Sequence, residues 1–101
     1  MRYATLARVG RLGAVARGAV DAAAVIGQRV PPGLLTAVAP GAADGVEEAL
    51  ARGVLTDDGA TLGFRHELTR QAIESAISAP RRAALHGAVV AALEQAGARA
   101  E

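Results

Sequence analysis

Half of the residues in this chain are apolar and almost none are aromatic: the hydrophobic share is 51% and the aromatic share 2%. A core drawn from such a sequence has to be assembled from Ala, Leu, Val and Ile. Small side chains of this kind suit closely packed helices better than a broad sheet. Each buries little area, so individual contacts are weak. The 101 residues give room for one domain and one core, and a core of that size leaves a thin stability margin.

Apolar residues fall at helical spacing from Val9 to Ile26, and Leu12, Val15, Ala19, Ala23 and Ile26 are expected to line one stripe. Arg17 and Asp21 lie four apart on the polar side, where they can pair weakly. Gly18 costs about 1 kcal/mol relative to Ala, and Gly27 is placed for a left-handed cap. Pro31 and Pro32 stop that helix and suit the first turn of a short one over 32–38, with Leu34, Leu35 and Val38 inward. Pro40 and Gly41 end it. A third helix is expected over 42–52, burying Val46, Ala49 and Leu50, with Gly53 as its cap.

The period then changes. Residues 54–56 and 61–65 look extended, with Asp57-Asp58-Gly59-Ala60 between them. Asp-Gly between short apolar runs signals a hairpin, because the turn needs positive φ. Leu62 and Phe64 should face the core, with Thr61, Gly63 and Arg65 outward. Helical spacing resumes at Glu67, with Leu68, Ala72, Ile73, Ala76 and Ile77 as the stripe and Arg70–Glu74 as an i,i+4 pair. Ser78-Ala79-Pro80 closes that helix and opens a last one over 80–96, with Leu85, Val89, Ala92 and Leu93 inward. The expected fold is mainly α: a winged-helix-like three-helix core with a β-hairpin, followed by two further helices. Residues 1–78 form the winged-helix-like domain, and 79–101 begin a helical, repeat-like region.

The chain carries 11 basic and 10 acidic residues, for a net charge of +1, which gives no overall electrostatic case for nucleic acid. All of the basic charge is Arg. Arg2, Arg8, Arg11 and Arg17 precede the first acid, Asp21, and read as the basic face of the first helix. With no Cys, disulfides, thiolate chemistry and Cys-based zinc sites are excluded. No apolar run reaches the roughly 18 residues of a membrane span. His66 and His86 have no metal-ligand spacing, no phosphate-cradling GxxxxGK[ST] loop is present, and Ser75 and Ser78 have no triad partner in sequence. No catalytic residue and no metal site is expected, and the chain does not read as an enzyme. His66 ends the second strand and opens the helix at Glu67. Backbone N–H groups there favour anions, and Arg65 and Arg70 stand nearby. Glu67 opposes that use, since its carboxylate already complements the helix dipole. The other reading of His66 is structural. His86 reads as a packing or capping residue. Arg81 and Arg82, at a helix start, do not suit the dipole and are expected to serve a partner or solvent.

Residues 64–73, Phe-Arg-His-Glu-Leu-Thr-Arg-Gln-Ala-Ile, resemble the FRHELVRQAVY segment of large ATP-binding LuxR-type transcriptional regulators. Arg81-Arg82-Ala83-Ala84-Leu85-His86 resembles the RRxxLH helix that follows in that family, and residues 21–27 resemble its LDAAAVIG helix. Those regulators are signal-transduction ATPases with numerous domains: a P-loop ATPase, a winged helix, helical repeats and often a DNA-binding helix-turn-helix. The resemblance covers residues 9–96. It implies a regulatory winged-helix segment without the P-loop and DNA-binding parts, located in the cytoplasm. Its partners would be the adjacent ATPase domain and helical repeats, with self-association through residues 80–96. No cofactor is implied for the segment alone, and ADP or ATP is implied for the parent protein. In related plant resistance and apoptotic ATPases a Met-His-Asp motif of the winged helix touches the β-phosphate of ADP. Arg65-His66-Glu67 resembles it at the His and the acid, with Arg in place of Met. That likeness implies phosphate contact by His66 and Arg65, while Leu62, Phe64, Leu68 and His86 are read from their positions as structural residues. The alternatives are a free-standing winged-helix DNA-binding protein or an unrelated small helical interaction domain. Direct DNA binding is disfavoured, because the third helix offers Asp44, Glu47 and Glu48 against Arg52 alone where a groove-reading helix is basic or polar, and the wing is acidic at Asp57 and Asp58.

Overall fold

The computed structural model describes residues 9–100, and side-chain surroundings over 9–97. Arg2 and Arg8 of the basic start lie outside the described residues. The elements are α1 (Ala14–Ile26), β1 (Arg29–Val30), α2 (Pro32–Val38), α3 (Ala42–Ala51), β2 (Leu55–Asp57), β3 (Leu62–Phe64), α4 (Glu67–Ala76) and α5 (Ala79–Ala100). The fold is mainly helical with a small antiparallel sheet in the order β1-β3-β2. Three helices followed by a two-stranded wing give the winged-helix order, and α4 and α5 follow it.

α1 is the central helix. It packs on α2, α3, α4 and α5, and Ala16, Ala19, Val20 and Ala22 to Val25 are all buried. Small side chains make this possible, since a helix approached from several sides has to let other backbones come close. The tightest approach is at Gly45 of α3, where a Cβ would lie 2.6 Å from the Val15 carbonyl oxygen and 2.8 Å from the Ala16 Cα. Glycine is therefore required by the α1–α3 contact and not by its own backbone angles.

The chain departs from the continuous helix expected over 9–26. Residues 9–10 are helical, a turn follows, and α1 starts only at Ala14. Gly10 and Gly13 are weak helix formers. The Gly13 N–H donates to the Glu48 carboxylate at 2.9 Å, a tertiary bond that fixes the break. The buried face is also rotated from the expected stripe: Val15 is 60% exposed, while Ala16 and Val20 are fully buried. Gly27 does have positive φ, 141°, but its ψ of −166° is not left-handed helical. Its N–H closes the last turn on the Ala23 carbonyl, and the chain then leaves extended into β1.

α2 has the expected bounds, with Pro at its first position. α3 ends in a Schellman arrangement: Gly53, at φ 75°, donates to the Leu50 carbonyl, and Val54 donates to that of Ala49. The buried Val54 and Ala49 supply the accompanying apolar contact.

β1 is an addition that the sequence pattern does not announce. It pairs Arg29 with Gly63 and Val30 with Leu62, turning the hairpin into a three-stranded sheet with β3 at its centre. The hairpin itself pairs Leu55 with Phe64 and Asp57 with Leu62, leaving residues 58–61 as a four-residue loop. Gly59 alone in it has positive φ, so this is not the two-residue turn that Asp-Gly suggests. The Asp58 carboxylate accepts from the N–H groups of Ala60 and Thr61 at 2.9 and 2.8 Å. These bonds hold its pKa below the ordinary value.

Candidate functional site at the β3–α4 junction

Leu62 and Phe64 are buried, at 6% and 3% exposure, and anchor β3 in the core. The Gln28 side chain donates to the Phe64 carbonyl at 2.8 Å, tying the end of β3 to the link between α1 and β1. Arg65 and His66 then emerge exposed. His66 is the N-cap residue of α4, at φ −132° and ψ 129°, and its side chain makes no capping bond. Its carbonyl accepts from the N–H groups of Thr69 and Arg70. The first N–H groups of α4 have no acceptor within the helix. The junction thus presents an exposed imidazole, an exposed guanidinium and a helix start on one short stretch.

Arg70 does not join them. Two of its guanidinium nitrogens grip both oxygens of Glu67, at 2.8 and 2.6 Å. The third donates to the Ala24 carbonyl at 2.8 Å and to Glu74 at 3.0 Å. All three nitrogens are committed to structure, which corrects the expectation that Arg70 stands ready for a phosphate. Arg70 holds the Glu67 carboxyl down at about 2, with help from Gln71, and its own pKa is raised in return, chiefly by Glu67. The Glu67 charge faces Arg70 instead of standing free at the helix start.

Leu68, expected in the inward stripe of this helix, is 54% exposed. α4 is rotated so that Thr69 and Ile73 point inward, followed by the buried Ile77 at its end, and Arg70 reaches the Ala24 carbonyl of α1 from the same side. His86 is also exposed and neither packs nor caps. Its Nε2 lies 3.8 Å from Glu74 Oε2. Leu93, expected inward, is 54% exposed, because α5 passes the edge of α2 and not the centre of the core.

Residues 64–73 and 81–86 both meet residues 21–27 in space. Arg81 of the RRxxLH-like stretch reaches Asp21 of the DAAAVIG stretch at 3.6 Å, beside Arg17 at 3.1 Å. Arg70 joins the Ala24 carbonyl, Arg82 donates to the Glu74 carbonyl at 3.3 Å, and His86 faces Glu74. Asp21 is buried, at 8% exposure, and so does not lie on a polar face as its spacing suggested. Arg81 and Arg82 reach the chain's own helices, and the Arg81 side chain stays half exposed to solvent. The signal for these joints was in the sequence, as two arginines at a helix start where the dipole disfavours them, but their acceptors lie in other elements.

Among the described residues no group of three His, Asp or Glu side chains is placed to hold a metal ion, and no helix is long and apolar enough to cross a membrane. Comparison with protein-family models, curated proteins and solved structures returns no match.

Proposed function

We propose that the chain is a regulatory module of a signal-transduction ATPase of the LuxR-type regulator kind: a lid that senses the nucleotide held by an adjacent ATPase domain. The observation that carries this reading is the exposed Arg65-His66 pair at the start of α4, uncommitted while Arg70 and Glu67 neutralise each other. Cationic and N–H donors gathered at a helix start suit a phosphate. His66 contacts the β-phosphate of ADP, with Arg65 beside it, and the chain alone holds no cofactor and catalyses nothing. The module works in the cytoplasm against the ATPase domain and the helical repeats that continue from α5.

The free-standing DNA-binding alternative fares less well. Asp44 and Glu47 are exposed on α3, the helix that would enter the major groove, and repel the phosphates on which DNA affinity rests. Self-association through residues 80–96 is supported by Val90 and Leu93, each more than half exposed, since a terminal repeat otherwise needs a polar outer face. Sedimentation at high concentration tests it, and a strictly monomeric profile removes it.

The test of the lid supplies the ATPase domain in the same polypeptide and measures ADP retention. A hydrogen bond to a charged group is worth about 1.5–3 kcal/mol, so His66→Ala should speed ADP loss roughly ten- to a hundredfold. Thr36→Ala, an exposed change on α2, should leave it unchanged. Equal ADP retention in His66→Ala and the parent removes the lid reading.

A further inference from the structure

We propose that α5 is a detachable arm, held on the domain by a polar latch and able to swing away while the rest stays folded. Across residues 79–97 not one α5 residue is fully buried, in contrast to α1, where eight are. Leu85 is the α5 side chain that packs against the main core, and it is only partly buried. Along the α2 seam the fit is loose: a cleft of about 480 Å³ lies between Pro31, Leu34 and Ala37 on one side and Ala92, Leu93 and Ala96 on the other.

What replaces apolar burial is a set of polar contacts at the α5 base. Arg81 reaches the buried Asp21, Arg82 takes the Glu74 carbonyl at the end of α4, and His86 faces the Glu74 carboxylate. Asp21 stays paired with Arg17 when Arg81 leaves, so release strands no buried charge. The connection to α4 is two residues long. Ile77 is extended, at φ −74° and ψ 136°, and buried as an anchor, while Ser78 is exposed and caps α5, its hydroxyl accepting from the Arg81 N–H and its carbonyl from the Arg82 N–H, so it turns with α5 about Ile77. Release of α5 uncovers Leu34, Val38, the side of α1 that α5 covers and the inner side of α5, without opening the α1–α3 contact. Such a latch is weakened by salt, as partly exposed charge pairs are.

The experiment uses the full chain. Because it has no Cys, Thr36→Cys with Ala91→Cys gives a unique spin-label pair on exposed positions of α2 and α5. The distance distribution is measured at low and high salt, with amide exchange of residues 14–26 followed in parallel. A single docked distance is expected at low salt. Arg81→Gln with Arg82→Gln should raise the long-distance population roughly threefold to tenfold, as should 1 M salt, while α1 keeps its protection. Glu74→Gln, a milder change, should give a smaller rise. An unchanged distribution in the double variant at high salt overturns the latch. Loss of α1 protection in step with α5 release overturns the detachable arm.

Discussion

Thr69 is the sharpest test of the packing described above. It is 3% exposed, and its hydroxyl has no hydrogen-bond partner. It sits on the inward face of α4 one turn before Ile73. A buried hydroxyl without a partner costs about 1–3 kcal/mol relative to leaving it in water. Thr69→Val keeps the branched shape and removes only the polar atom, so it opens no cavity and should stabilise the domain by about 1–2 kcal/mol. In a domain of this length that is a rise in Tm of about 4–8 °C for each kcal/mol. Thr69→Ser is the control, because it keeps the hydroxyl and deletes the methyl. It should lose about 1 kcal/mol through lost burial and the small void left behind. Urea unfolding followed by circular dichroism reads both, with m unchanged. A Thr69→Val variant no more stable than the parent refutes the unsatisfied hydroxyl, and with it the stated orientation of α4.

Phe64→Ala should cost about 3–5 kcal/mol, as for other fully buried aromatic truncations, and leave the domain largely unfolded by circular dichroism. Gly45→Ala should destabilise despite Ala being the better helix former, because the added Cβ meets α1 backbone. Gly87→Ala on the open side of α5 meets nothing within 4 Å and should gain up to about 1 kcal/mol; thermal melts that rank the two the other way contradict the α1–α3 contact. Glu67 has its pKa lowered from 4.5 to about 2, so its stabilising contribution is complete above about pH 4.5 and is lost as pH falls through about 2. Urea midpoints between pH 6 and pH 2 should fall on the acid side, and Glu67→Gln should flatten that fall; parallel profiles for the two proteins would contradict it.

The exposed junction at Arg65-His66 was legible because its signal is local: a period change at Phe64 and an acid opening the next helix. Its surroundings were not. The rotation of α4 hid Leu68 from the core and brought in Thr69, a residue that spacing alone had passed over. The commitment of Arg70 depends on a carbonyl 46 residues away in sequence, and His86 finds Glu74 only because α5 folds back across the end of α4.

By itself the sequence determined the punctuation of the chain. Pro31-Pro32 and Pro40 set the ends of α2, Gly53 closes α3, Asp58-Gly59 places the hairpin loop, and Ser78 with Pro80 separates α4 from α5. Each acts through its own φ preference or missing N–H, within a few residues, so no distant partner is needed. Only the tertiary structure decided which faces turn inward and which polar groups are joined. β1 exists because β3 offers its free edge to Arg29 and Val30, and α1 begins at Ala14 because Glu48 takes the Gly13 N–H. Asp21 is buried by its place on α1, and Arg17 and Arg81 pair with it there. Burial and ion pairing are properties of approaching surfaces, and an Ala-rich sequence with small, interchangeable side chains leaves several helix faces nearly equal in apolar character until the neighbouring elements select one.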